Sequence, residues 1–182
     1  LYFGTPEASH AQAAKLAAKV NVTYVERTYD TVLAVMPELY DDVWTAGKGM
    51  YKTESIVADG GKVIIYAPHI DEVSYTHGEI LDRIGYHVRD YFLAHMDEFD
   101  DVPRTVMAHA THVKGAGTYE DGEEKPRIHV ALATGVPRER CERIDLGYVD
   151  PETIEPAEWM GREEEGILVV PRAGEVLYRL EE

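Results

Sequence analysis

The sequence predicts a single α/β domain with a mixed, mostly parallel sheet and helices on both faces. Three observations carry this. Two short β-branched runs, TVLAVMP (Thr31 to Pro37) and KVIIYAP (Lys62 to Pro68), each end at a proline and read as strands. The roughly two dozen residues between them are too many for a hairpin and fit a helical crossover between parallel neighbours. A third run, Arg127 to Thr134 with IHVALAT, has too little polar alternation for an exposed strand, as expected of one in the sheet interior.

The remaining elements follow from caps and periodicity. Thr5-Pro6-Glu7 opens a helix with a hydroxyl cap, a proline in the first turn and an acid near the positive end. The alanine-rich run to Val20 continues it, and Asn21 ends it. Its stripe of Ala13, Leu16, Ala17 and Val20 is expected to pack on the sheet or on another domain. Val22 to Tyr29 reads as an edge strand. Asp41-Asp42 can cap the crossover helix, and Asp59-Gly60-Gly61 turns into the second central strand. Thr76 and Glu79 have the spacing of a capping box. Ile80, Leu81, Ile84, Val88, Tyr91, Phe92 and Met96 then form an amphipathic stripe that Gly85 can interrupt. Thr105 to Val113 reads as a strand and Lys114 to Pro126 as an exposed loop. Pro137 opens a short helix to Arg143. Leu146 to Val149, Gly166 to Val170 and Val176 to Leu180 read as short strands, and Asp150-Pro151 as a capped turn.

Composition limits the partners. The net charge of −16, from 34 acidic and 18 basic residues, repels phosphate backbones and argues against nucleic acid. The acidic runs at Asp97 to Asp101, Glu120 to Glu124 and Glu163 to Glu165 read as solvated surface. No apolar run approaches the ~20 residues that span a bilayer, and the N-terminus lacks the pattern of a signal peptide. The single cysteine, Cys141, allows no internal disulfide, which suits a cytoplasmic setting, and it reads as a buried structural thiol. The chain opens at Leu1 rather than methionine, as expected of a segment of a longer product.

Ligands of open α/β sheets sit beyond the carboxyl ends of the strands. Here those ends are Met36-Pro37-Glu38 and Ala67-Pro68-His69. Lys48 follows the first of them, between Gly47 and Gly49, where glycines can let a carboxylate or phosphate approach the backbone. The run is not a P-loop, because glycine rather than Ser or Thr follows the lysine. His69 and His77 flank the same edge, and the helix start at Thr76 to Glu79 offers amides to an anion. His109 and His112 would face opposite sides of a strand. They could join His69 in a metal-dependent hydrolase only if the three rings converge. Trp44 and Trp159 read as packing residues.

Several long motifs carry a resemblance. DDVWTAGKGMYK (Asp41 to Lys52), VADGGKVIIYAPHIDEVSYTHG (Val57 to Gly78), HATHVKGAGTYE (His109 to Glu120), ERCERIDLGYVDP (Glu139 to Pro151) and GREEEGILVVPRAGEVLYRL (Gly161 to Leu180) resemble the C-terminal domain of the nickel-pincer-dependent lactate racemase family. The resemblance covers nearly all of residues 1–182 and implies an upstream catalytic domain. It also implies inversion of a small 2-hydroxy acid: the C2 hydrogen leaves as hydride to a nickel-pincer nucleotide and returns to the other face of a transient keto acid. Two histidines serve as base and acid. The cofactor lysine, the nickel ligand and both acid/base histidines of the family belong to that upstream domain. This chain would then contain no catalytic residue and no metal ligand, and would be inactive alone. It would close the site, with Lys48 in the position of a family lysine that points between the domains. Thr45 stands where the lactate racemase has a glutamine, so the substrate contacts differ. The substrate and cofactor contacts expected here are therefore Lys48, Thr45, His69 and His77. The partners expected are the chain's own N-terminal domain, the hydroxy acid and, at most, a second copy in a homodimer. A non-catalytic lid or oligomerisation module is the alternative, and an exposed Ala13-Leu16-Val20 stripe would favour it.

Overall fold

A computed structural model describes residues 1–181. Five parallel strands form the central sheet, in the order β7 (Gly147–Tyr148), β6 (His129–Thr134), β3 (Val57–Ala67), β2 (Tyr29–Val35), β8 (Ile167–Val170). The two proline-terminated runs are thus adjacent, with Val32 opposite Val63 and Val35 opposite Tyr66. The strand from His129 lies in the interior between β3 and β7. A separate parallel pair joins β1 (Val22–Val25) to β9 (Leu177–Leu180), so the first strand stands outside the central sheet.

Alternation along the strands divides the core. Val32, Ala34, Val63, Ile65, Val130 and Leu132 face the larger layer. There they meet α2 (Val43–Ala46), α3 (Lys48–Tyr51), α4 (Gly78–Ile84), α5 (Arg89–Ala94), α6 (Arg104–Lys114) and α7 (Arg138–Arg143). Leu33, Ile64 and Ala133 face the other way, onto Ile154 and the Trp159 ring of α8 (Pro156–Trp159). Both faces are covered, but unequally. One-residue alternation is what lets a continuous apolar run serve two layers.

Three local expectations differ. Thr105 to Val113 is not a strand but most of α6, whose Val106, Met107, Ala110 and Val113 are buried at helical spacing. Its β-branched residues suggest a strand, but tertiary packing overrides that weak preference. Lys114 to Pro126 is not a loop. It holds the antiparallel hairpin of β4 (Gly117–Glu120) and β5 (Glu123–Pro126), turning at Asp121-Gly122. Aspartate-glycine is a strong hairpin signal, here obscured by the acidic residues around it. The capping box does not form either, because His77 precedes α4 without a side-chain cap. Ser74 Oγ instead accepts from the amides of Thr76 and His77 at 3.4 and 3.1 Å.

Other features follow the sequence. Thr5 caps α1 (Pro6–Asn21), accepting from the Ala8 amide at 3.3 Å. The long amphipathic stripe breaks at Gly85 into α4 and α5. Cys141 is buried, and burial pushes its thiol up to about 11. No described residue of α1 is buried, so its apolar stripe does not reach the sheet. No helix among the described residues is long and apolar enough to cross a membrane.

Candidate functional site

One segment, Tyr40 to Lys52, leads from the carboxyl end of β2 back toward the amino end of β3, and its first half packs beside the residues that follow β3. Asp42 starts it, its Oδ1 accepting from the Thr45 amide at 2.8 Å and from the Thr45 hydroxyl at 2.7 Å. The α2 turn is tied to the strand β3 side by two amides, Val43 to the Glu72 carbonyl and Trp44 to the Val73 carbonyl. The expected single crossover helix is two short turns, α2 and α3, broken at Gly47.

The flanking glycines have a different reason from the one the sequence suggests. A Cβ at Gly47 would come within 2.6 Å of Val113 Cγ2, and one at Gly49 within 2.7 Å of Met36 Sδ. Both positions are filled from inside the protein. The glycines let the segment wedge between α6 and the end of β2, and no ligand needs to approach them.

Lys48 leaves this wedge half-buried. Its ammonium lies 5.4 Å from the Tyr40 ring centroid and 3.5 Å from the Thr45 carbonyl oxygen. No carboxylate among the described residues pairs with it, although the chain carries a net charge of −16. The ammonium is therefore held by an aromatic face and a carbonyl and has no carboxylate partner. Gly174 closes the other side. Its φ is +87°, and a Cβ there would meet Tyr40 Oη at 2.8 Å and Lys48 Cβ at 3.1 Å.

The expected contacts gather around this segment. His69 Nε2 donates to the Tyr40 carbonyl at 3.0 Å, which ties the end of β3 to the loop carrying Lys48. His77 lies against the Trp44 ring, centroids 4.7 Å apart. Thr45 is present, but its hydroxyl is engaged by Asp42. At the start of α4 one amide is already engaged within the chain. That helix has seven residues, the Gly78 amide donates to the Ser74 carbonyl, and the Glu72 carboxylate lies close by.

His109, expected on a strand, sits on α6 and stacks on the Trp44 ring, with ring centroids 3.6 Å apart and planes 11° from parallel. Its Nε2 donates to the Trp44 carbonyl at 2.8 Å, and its Nδ1 is buried without a partner. Burial lowers its pKa to about 4, outweighing the hydrogen bond to Trp44, so the ring is neutral near pH 7. His112 is exposed on the next turn, 6.0 Å from the Tyr51 ring. With His69 and His109 each bonded to a different carbonyl, the three rings do not form a ligand set, and the hydrolase arrangement is dismissed. Trp44, Tyr40 and Gly174 were not expected in the site. For Trp44 and Tyr40 the only sequence signal is their place beside Lys48.

Among the described residues, one group has metal-binding geometry: His87, Glu124 and Asp145. It lies by the amino end of β6, where the Lys114 ammonium already bonds Asp145. His87 Nδ1 donates to the Glu124 carboxylate at 2.8 Å, and the Val88 amide also donates to it. Burial raises the Glu124 pKa, but these bonds outweigh it and the net shift is downward. The group is a satisfied polar network. It also removes Glu124 from the solvated acidic surface expected of its run.

No protein-family model matches this chain, and no curated protein matches it. Solved structures similar to this chain include two that cover nearly all of it. One is a Thermotoga maritima protein, 35% identical, covering 96% of this chain and 42% of its own, with a TM-score of 0.87. The other is the lactate racemase apoprotein from Thermoanaerobacterium thermosaccharolyticum. It is 16% identical and covers 95% of this chain and 40% of its own, with a TM-score of 0.62. The chain spans less than half the length of either. The fold is therefore related to part of lactate racemase.

Proposed function

We propose that this chain is the C-terminal part of a longer 2-hydroxy-acid racemase and that it closes the active site with Lys48 toward the substrate. The unpaired Lys48 ammonium at the carboxyl edge of the sheet, in a fold shared with lactate racemase, is the observation that carries this reading. In a site shielded by a second domain, one positive charge facing a carboxylate is strengthened by exclusion of water. The Tyr40 ring and the Gly174 backbone fix the lysine stem, so the charge is positioned before the substrate arrives. The Trp44 ring, stacked on His109 and against His77, lies four residues before Lys48 on the same segment.

The nickel-pincer nucleotide would supply the hydride acceptor when bound. The residues here do not fit its metal. His69 and His109 are committed to carbonyls, and the His87 group contains its own ammonium. They do fit an anionic group, which Lys48 can meet. Nickel would be held by the upstream domain, and this chain would supply charge and closure.

Exposure of Leu16 (52%) and Val20 (72%) on α1 favours a second role, as a docking element for that upstream domain. The test of the main reading is racemisation of lactate and other short 2-hydroxy acids by the complete gene product, wild type beside Lys48→Ala. Loss of turnover in a folded variant supports the role of Lys48, and unchanged turnover refutes it.

A further inference from the structure

The break between α2 and α3 leaves the Trp44 carbonyl to be satisfied from outside the segment. In an uninterrupted helix the Trp44 carbonyl would accept from the Lys48 amide four residues on. Here it accepts from His109 Nε2 at 2.8 Å instead. The chain is thereby free to turn at Gly47 and set Lys48 against Tyr40 and Gly174. The same imidazole stacks on the Trp44 ring, so one side chain holds both the backbone and the side chain of that residue.

We propose that His109 is a positioning residue that replaces the lost helical hydrogen bond at Trp44 and so fixes the direction of the Lys48 ammonium. The value of this arrangement for catalysis rests on the reading of Lys48 given above, whereas its structural content does not. Only the Nε2–H tautomer can make the bond, because a carbonyl only accepts. That tautomer leaves Nδ1 as the acceptor, which is the atom found buried and unpartnered. The depressed pKa is consistent with a ring kept neutral in this tautomer near pH 7. The neighbouring charges are Asp42, which favours protonation, and Lys48 and His112, which oppose it. His109 touches neither substrate nor cofactor in this account. It acts through Trp44.

Two substitutions separate the donor from the ring. His109→Phe keeps an aromatic ring on Trp44 and removes the N–H. His109→Gln removes the ring and keeps an N–H within reach. The direct readout is the Lys48 ε-methylene proton shift in this chain, which the Tyr40 ring current displaces from the free-lysine value. His109→Phe is expected to return it toward that value and His109→Gln to restore it. In the complete gene product, kcat/KM on the 2-hydroxy acid should fall about tenfold in His109→Phe, the scale of one lost hydrogen bond, and recover to within about twofold in His109→Gln. Thermal unfolding of each variant establishes that it is folded. An unmoved Lys48 resonance in His109→Phe overturns the inference, as does failure of His109→Gln to restore it. If the resonance moves as expected but Lys48→Ala racemises as fast as wild type, the positioning role stands and the substrate role of Lys48 falls.

Discussion

Gly174→Ala tests whether the Lys48 site is built as tightly as its geometry implies. Two costs add. The left-handed backbone at +87° costs a non-glycine residue about 1 kcal/mol. The new methyl would also sit 2.8 Å from Tyr40 Oη and 3.1 Å from Lys48 Cβ, and overpacking of this kind costs about 1–3 kcal/mol. The sum is about 2–4 kcal/mol, which for a domain of this size lowers Tm by about 5–15 °C. Gly60→Ala is the control, since its φ is +77° and nothing lies within 4 Å of the added methyl. It carries the backbone cost alone, about 1 kcal/mol. Thermal and urea unfolding of both variants gives the difference between them, which is the crowding at Tyr40 and Lys48. If Gly174→Ala loses no more stability than Gly60→Ala, the described packing of the lysine stem is wrong.

Other consequences follow from the polar groups. Arg140 bridges Glu72 at 2.6 Å and Asp82 at 3.0 Å, and its pKa is raised by these bonds. Arg140→Ala should cost about 2–3 kcal/mol in urea unfolding near pH 7. Glu72 is held below the usual carboxylate range by Arg140, and Asp82 likewise by its arginines against the opposing effect of burial. Their contribution is therefore present above the unfolded carboxylate pKa and lost as pH falls through the lowered values. His109 has the same sign, because its folded state also favours the deprotonated form, here the neutral ring. With a folded pKa of about 4, the unfolded chain takes up its proton first, so stability declines as pH falls from about 6.5 toward 4. His109→Phe should flatten that part of the pH–stability curve, and the ring's NMR titration should show a midpoint near 4. Purified chain dialysed against nickel should retain less than one equivalent by elemental analysis, because Lys114 occupies the one described group with ligand geometry.

Much of the fold was legible because strands and caps announce themselves locally. The runs ending at Pro37 and Pro68 became neighbouring parallel strands, and Thr5, Asp42 and Asp150 cap as their residue types suggest. The stretch from Thr105 to Val113 misled because its helicity comes from the layer it covers. Val106, Ala110 and Val113 are buried against elements distant in sequence, and a β-branched composition says nothing of them. The site was legible only in part. Lys48 stood out as a cation near a strand end, but its glycines serve the packing of Val113 and Met36. His109 was visible as a histidine, yet its partner is a carbonyl 65 residues away that becomes available only because a helix breaks. No spacing rule encodes such a contact.

The most direct test of the account is the rate at which the complete gene product interconverts the enantiomers of lactate and other short 2-hydroxy acids, with and without Lys48→Ala. Removing one preorganised charge from such a site is expected to lower kcat/KM by about 10²–10³-fold while far-UV circular dichroism stays unchanged. Racemisation at the wild-type rate in the folded variant would contradict the central role given to Lys48. Failure of the wild-type protein, loaded with the nickel cofactor, to racemise any of these acids would contradict the proposed reaction.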